Sequence, residues 1–228
     1  MTCWVKKRMS NKLDDALMRR EMVSSQIAKR GIKTAVVLDA MLKVPRHEFV
    51  PNGFRLDVYG DHPLPIGQNQ TISQPYIVAL MSELLNLSGN ERVLEVGTGS
   101  GYQAAVLSLL AAEVHTIERH ASLAQQAEQT LNRLGYHNVF VHLGDGSMGW
   151  ADNAPYQGIL VTAAAPSVPE QLKAQLDDGA MLVIPVGVYR SQELLVVTRN
   201  QDGFDVESII PVSFVPLCGQ FGWQDGTW

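Results

Sequence analysis

Residues 92–105, RVLEVGTGSGYQAA, decide how this chain is read. RVLEV is short, apolar and β-branched, as a buried strand should be. It runs into Gly97, Gly99 and Gly101, and YQAA then opens a helical pattern. A glycine loop between a strand and a helix lets a ligand approach the backbone closely and offers N–H groups to it. The dinucleotide fingerprint G-x-G-x-x-G/A would need Gly or Ala at position 102. Tyr102 stands there, so the spacing is G-x-G-x-G, and no Gly-Lys-Ser/Thr follows to make a phosphate loop. A tight turn that holds no ligand is the plain structural alternative.

Acidic residues in register with the loop argue against that alternative. Glu118 closes the strand pattern EVHTIE 21 residues after Gly97, where a carboxylate can accept from both hydroxyls of an adenosine ribose. Glu95 lies inside the first strand, a costly place for a carboxylate unless it is paired, and a cationic sulfonium–ammonium ligand would pair it. The third strand ends in GDG, which places Asp145 to accept from an adenine amino group, although an Asp-Gly turn explains that run equally well alone. Thr98, Ser100, Arg119 and Gly146 complete the candidate set around these positions. Carboxyl ends of successive strands are where open α/β sheets bind ligands. The pattern predicts an S-adenosylmethionine site.

Outward from the loop, strand and helix alternate. NVFVHLG, GILVTAAA, AMLVIPVG, ELLVVTRN and DVESIIPVSF read as further strands. SLAQQAEQTLNRLG reads as an amphipathic helix closed by Gly135, and SVPEQLKAQLDDG as another with Ser167 as a possible N-cap. The expectation is an α/β fold of the class I S-adenosylmethionine-dependent methyltransferase (Rossmann-like) type, with about seven strands in a mostly parallel sheet covered by helices on both faces. The short link NQDGFD makes the last two strands antiparallel. Upstream, apolar positions Leu13, Leu17, Met22, Val23 and Ile27 predict a helix over 13–30 stopped by Gly31, and a second spans about 34–42. Residues 1–12 read as a frayed basic lead and 52–74 as a long irregular passage, a kind of segment that is often functional. Residues 1–75 form a helical, acceptor-side segment packed on a methyltransferase core of residues 76–228.

Bulk properties narrow the function classes. The chain has 228 residues, 46% of them apolar, and a net charge of −5, so no global basic field draws nucleic acid or an anionic membrane. Two cysteines, Cys3 and Cys218, argue against a disulfide scaffold and suit a reducing, cytoplasmic compartment. The first residues lack the apolar run of a secretory signal, and no window is apolar and long enough for a membrane span. The six histidines show no metal spacing and are expected at helix ends and strand edges, so no metal is expected. Lys6–Arg8 reads as a solvated tail, and Trp4, Trp150, Trp223 and Trp228 are not interleaved with basic residues as a nucleic-acid platform would be.

A second stretch concerns the acceptor. PLPIGQNQTISQPYIVALMSELL, Pro63 to Leu85, is polar and turn-rich up to Pro75 and helical beyond it. Ser73, two residues before Pro75, fits a helix N-cap. Capping is compatible with catalysis, because a helix start also favours a bound carboxylate. TISQP lacks G-x-S-x-G, so Ser73 is not a hydrolase nucleophile.

Taken together, PLPIGQNQTISQPYIVALMSELL, VLEVGTGSGYQ, HLGDG, VTAAAP and FVPL, in order from about Val44 to Leu217, resemble the protein-L-isoaspartate (D-aspartate) O-methyltransferases. IGQNQTISQP is the specific segment, since the glycine loop is shared across the superfamily. The resemblance implies a protein-repair enzyme acting on isoaspartyl-containing peptides and proteins, with S-adenosylmethionine as cofactor, and a monomer is expected. It implies that Ser73 is the active-site serine and that Gln70, Thr71 and Ile72 pass beside the cofactor. Where the family has a YDAI- or FDAI-like run, this chain has YQGIL; if that carboxylate supports the active-site loops, Gln157 keeps a hydrogen bond and loses the charge. Residues 218–228 do not match firmly, and Cys218 either nears the cofactor or is a packed or exposed thiol. The competing readings are a methyltransferase with a small-molecule or RNA acceptor and a cofactor-binding homologue with weakened catalysis; Tyr102 disfavours a nicotinamide dehydrogenase.

Overall fold

The five residues Arg92–Val96 form strand β3, buried from Val93 onward on both faces, Glu95 included. A computed structural model describes residues 14–55, 57–224 and 226 of the chain. The basic lead, Cys3, Trp4, Lys6–Arg8, Leu13 and Trp228 therefore lie outside the described residues. Around β3 the sheet is seven-stranded, in the order β5-β4-β3-β6-β7-β8-β9. β4 (Glu113–Glu118) and β5 (Val139–Leu143) extend it on one side. β6 (Tyr156–Val161), β7 (Leu176–Val188), β8 (Ser191–Asn200) and β9 (Gly203–Val212) extend it on the other. The chain leaves β3 toward β4 and returns on the opposite side at β6, so the strand order reverses beside β3. That reversal opens a crevice at the carboxyl ends of β3 and β6.

Parallel pairing runs from β5 to β7, with Glu95 opposite Thr116 on β4 and opposite Leu160 on β6. β8 and β9 are antiparallel, as the short NQDGFD link predicts. β7 and β8 are also antiparallel, joined by a hairpin at Tyr189 and Arg190 with Arg190 at φ 65°. Sequence alone did not show that hairpin, because Tyr-Arg carries none of the glycine or asparagine that usually marks a tight turn.

β7 also starts earlier than expected. The helix predicted over SVPEQLKAQLDDG is only α6, Glu170–Ala174, capped by Pro169 without a side-chain bond; Ser167 caps nothing. Asp177 and Asp178 belong to β7, where Gln157 donates to Asp177 at 2.8 Å and Arg199 pairs with Asp178 at 2.9 Å. Gly179, at φ 77°, is a kink within the strand and not a helix stop.

On one face, α5 (Ala121–Leu134) turns Leu123, Ala124, Ala127 and Leu131 inward, and Gly135 closes it in the left-handed region at φ 86°. α4 (Tyr102–Leu107) follows the glycine loop and is buried along its length. N-terminal α1 (residues 14–21) passes into a π-helical turn, Met22–Ile27, and a 3-10 turn, Ala28–Arg30. α2 (Ala35–Lys43) and α3 (Pro75–Leu84) follow, close to the predicted spans. Met22, Ile27, Met41 and Ile72 share one hydrophobic cluster with Tyr102, Val106 and Leu131. The N-terminal segment is thus welded to the helices behind the glycine loop by apolar burial, about 1.5–3 kcal/mol for each fully buried large side chain.

The passage 52–74 is more ordered than its composition suggests. Leu64–Gly67 and Gln70–Ile72 pair as an antiparallel hairpin, β1–β2, turned by Gln68 and Asn69 at positive φ. Asn in the left-handed region is common, and Gln68 is held there by the register of the strands. The histidine expectation holds for His120, which starts α5, and His142, on the edge strand β5, but needs correction for His115. His115 is buried within β4, its Nδ1 2.9 Å from His142 Nε2 and its Nε2 2.6 Å from Glu113 Oε1, with His142 stacked on Trp150. Among the described residues no helix is long and apolar enough to cross a membrane, and no group of three or more His, Cys, Asp and Glu is placed to hold a metal ion.

Candidate active site

The crevice at the sheet reversal is a cavity lined by the glycine loop, the carboxyl ends of the central strands and the β1–β2 hairpin. Gln70, Thr71, Ile72, Ser73, Glu95, Gly97, Thr98, Gly99, Ser100, Glu118, Arg119 and Gly146 all line it. Of the residues singled out from sequence, Gly101 and Asp145 do not.

Glu95 forms the floor. It is fully buried; Oε2 accepts from Thr116 Oγ1 at 2.6 Å, while Oε1 has no partner among the described residues. Burial, with a smaller push from neighbouring Glu118, raises its pKa to about 8 despite the Thr116 bond. A lone carboxylate oxygen facing a cavity fits a cationic group, which would repay its desolvation.

The glycine loop works differently from its sequence reading. Gly97 and Thr98 both donate their N–H to Ile117 O, Gly99 donates to Glu118 Oε2 at 2.8 Å, and Gly101 donates to Thr98 O. The loop spends these donors internally, so it is no anion cradle, and its glycines serve close approach. Gly97 sits at φ 98°, and a Cβ there would collide with Thr162 Oγ1, which donates to Val96 O and Gly97 O at 3.0 and 2.6 Å. Gly101, at φ 85°, caps α4 and packs toward Leu131 instead of the cavity.

Glu118 is nearly buried at the wall, its Oε2 on Gly99 N–H and its Oε1 on His120 N–H at 2.9 Å. Each carboxylate oxygen keeps a further lone pair for a ligand hydroxyl. Asp145 is committed elsewhere. Its Oδ1 accepts from Ser147 N–H and Oγ at 2.9 and 2.7 Å, and its Oδ2 accepts from Gln220 N–H at 2.7 Å.

Those last bonds reveal a part of the site of which the sequence reading raised only Cys218, as one of two alternatives. Residues 215–223 cross the carboxyl end of β6 as a strap. Ala164 N–H bonds Val215 O, Leu217 N–H bonds Ala164 O, and Trp223 Nε1 donates to Ala164 O at 3.0 Å. The strap brings Val215, Pro216, Leu217 and Cys218 to the cavity wall, so Cys218 is a lining residue. FVPL was a quotable motif, but only the chain's return over β6 shows what it touches.

Ser73 precedes α3, whose N-cap is Gln74 and whose first residue is Pro75; no side-chain cap bond is made. The Ser73 hydroxyl makes no hydrogen bond among the described residues, so it is not spent on capping. A second, open groove meets the cavity here. Thr71, Ser73, Thr162, Val215 and Pro216 line both, and so form the neck between them. Gln157 lies at the opposite end of β6, ~16 Å from Thr162 at about 3.3 Å per strand residue. There its Oε1 accepts from Arg92 N–H at 2.9 Å and its Nε2 donates to Asp177. Gln157 bridges a donor and an acceptor at the amino end of β6, away from the loops that line the site.

The family model for protein-L-isoaspartate(D-aspartate) O-methyltransferase matches residues 18–222. Protein-L-isoaspartate O-methyltransferase 1 of Syntrophobacter fumaroxidans is 52% identical over 206 residues, covering 90% of this chain and 96% of its own. Protein-L-isoaspartate O-methyltransferase 2 of Marinobacter nauticus is 54% identical over 208 residues, covering 90% and 95%. A solved protein-L-isoaspartate O-methyltransferase superposes with a TM-score of 0.82 at 29% identity, over 90% of this chain and 67% of that one. A putative protein-L-isoaspartate O-methyltransferase from Plasmodium falciparum, in complex with S-adenosyl-L-homocysteine, shares the fold with a TM-score of 0.75 at 23% identity, over 86% and 96%.

Proposed function

The chain belongs to the protein-L-isoaspartate (D-aspartate) O-methyltransferase family, and from that premise we propose how its site works. It transfers a methyl group from S-adenosylmethionine to the α-carboxylate of isoaspartyl residues in damaged peptides and proteins. The ester can then close to a succinimide, from which normal aspartate re-forms. When bound, the cofactor supplies an electrophilic methyl group on a cationic sulfur.

The chain's own residues bind, orient and exclude water. Glu95 Oε1 would take the cofactor's ammonium group, and Glu118 its ribose hydroxyls. Gly97, Thr98, Gly99 and Ser100, with Arg119 and Gly146, would let it lie against the backbone. Gln70, Thr71 and Ile72, on strand β2 of the hairpin, would cover it from the acceptor side. The incoming carboxylate has an ordinary pKa of about 3.9 and is already ionised near neutrality, so the site needs no general base. Alignment matters more: holding reactants in near-attack geometry contributes ~7–11 kcal/mol at best. Ser73 offers the neck a hydroxyl donor that orients one carboxylate oxygen while leaving the other nucleophilic.

The observation that carries this reading is the neck itself, where Ser73 and Thr162 belong to both the cofactor cavity and the acceptor groove. The test is transfer of labelled methyl from S-adenosylmethionine to an isoaspartyl peptide beside its aspartyl twin. Labelling confined to the isoaspartyl peptide is expected; equal labelling of both, or none, would sink the reading.

A further inference from the structure

Beyond the neck, the acceptor groove runs between α3, the β7–β8 turn and the segment after β9. Its described lining includes Asn69, Gln74, Tyr76, Tyr189 and Phe214, with one charged residue, Arg30. The chain as a whole carries a net charge of −5, so a solitary cation on this wall stands out from its background.

Arg30 is held, not merely exposed. It ends the 3-10 turn Ala28–Arg30, where Gly31 takes the left-handed conformation at φ 106° and turns the chain away. Its guanidinium carbon sits 3.6 Å from the centroid of the Tyr76 ring, in the first turn of α3, three residues past Ser73. Nη1 bonds Asp61 Oδ2 at 2.5 Å, and the same oxygen accepts from Gln74 Nε2 at 2.8 Å. Arg30 makes no other hydrogen bond among the described residues, and its side chain is 44% exposed. A guanidinium has five N–H donors, so a whole edge remains for a second carboxylate. Fixing the plane on an aromatic ring removes much of the ordering cost such an arginine would otherwise bear on binding.

We propose that Arg30 is a carboxylate-reading subsite of the acceptor groove, favouring isoaspartyl peptides that carry an acidic residue near the damaged position. This rests on the isoaspartyl reading above and adds a sequence preference to it. Asp61 keeps the subsite moderate: it already shares the charge, so the flanking carboxylate is favoured without being clamped.

The experiment measures kcat/KM for isoaspartyl hexapeptides bearing Glu, Gln or Lys at one flanking position at a time, acetylated and amidated so that no terminal charge competes. At one or more positions Glu should exceed Gln by about three- to fivefold at low salt, with Lys lowest, as for a partly exposed ion pair. The ratio should shrink toward one in high salt. Arg30→Gln should bring the Glu/Gln ratio to about one, Arg30→Lys should retain part of it, and Arg30→Glu should favour Lys over Glu. Because each ratio is taken within one variant, a general loss of folded enzyme cancels; if Arg30→Gln fails to fold, Arg30→Lys and the salt dependence decide. Equal rates with Glu and Gln at every position, or a preference that survives in Arg30→Gln, would overturn the subsite alone. Failure to methylate any isoaspartyl peptide would overturn the isoaspartyl reading, and the subsite with it.

Discussion

Thr116 and Glu95 face each other across the β3–β4 pair, with Thr116 Oγ1 donating to Glu95 Oε2 at 2.6 Å. This bond satisfies one oxygen of a fully buried carboxylate and leaves the other toward the cavity. The site therefore carries a deficit of one hydrogen-bond partner at a buried acid, which a cationic ligand group would fill.

The deficit has a pH signature. Glu95 has a folded-state pKa raised to about 8 from an ordinary value of 4.5. Between these values the folded protein holds a proton that the unfolded chain has released, so this group's contribution to stability falls as pH rises through that window. The cofactor-free protein should lose melting temperature from pH 5 to pH 8, and Glu95→Gln should flatten this dependence while weakening cofactor binding. Binding of S-adenosylhomocysteine at pH 7 should release a proton, read by calorimetry in buffers of different ionisation enthalpy. No proton release would mean that Glu95 does not meet the ligand's ammonium group.

Ser73→Ala should lower kcat about ten- to a hundredfold, the range for loss of one positioned donor or somewhat less. Since Ser73 caps no helix, melting temperature should stay within about a degree, and the Kd for S-adenosylhomocysteine within about twofold. A melting temperature lowered enough to explain the activity loss would return Ser73 to a purely structural role.

Glu118 and Asp145 should behave differently, although both are acidic strand-end residues. Glu118→Ala should weaken cofactor binding by about 1.5–3 kcal/mol, because charge-assisted bonds are lost. Asp145→Ala should instead free the strap at Gln220 and Ser147, lowering melting temperature and raising the peptide KM with a smaller change in cofactor affinity. Equal losses of cofactor affinity in the two variants would restore an adenine contact to Asp145.

Gln157→Asp, which restores the family's usual carboxylate, should destabilise this chain by about 1 kcal/mol. It would lose the amide donor to Asp177 and set two like charges together. Methylation rate at a temperature well below melting should be unchanged. A fall in kcat would show that the amino end of β6 is coupled to the active site.

Much of this molecule is legible one strand at a time. Arg92–Val96, Glu113–Glu118 and α5 with its Gly135 stop lie within a residue or so of where periodicity puts them, because burial on one or both faces writes itself into the apolar pattern. Glu95 and Glu118 were legible because a carboxylate in or at the end of a buried strand is expensive and so needs a reason. The β7–β8 hairpin, the Gln68–Asn69 turn and the His115–His142 pair were not, because neighbours across the sheet hold them in place of local propensity.

The sequence by itself determined the alternation of strands and helices, the glycine loop with its acidic partners, and the polar stretch before α3. Those features depend on residues close together in the chain, through side-chain period and backbone freedom. Tertiary structure alone decided that the loop's N–H groups turn inward, that Asp145 pins the strap, that Gln157 stands at the far end of β6, and that Ser73 meets Thr162 at a neck between two cavities. Each of those joins residues tens of positions apart. Long-range partners are selected by burial and hydrogen-bond satisfaction over the whole fold, and no local pattern in the chain encodes them.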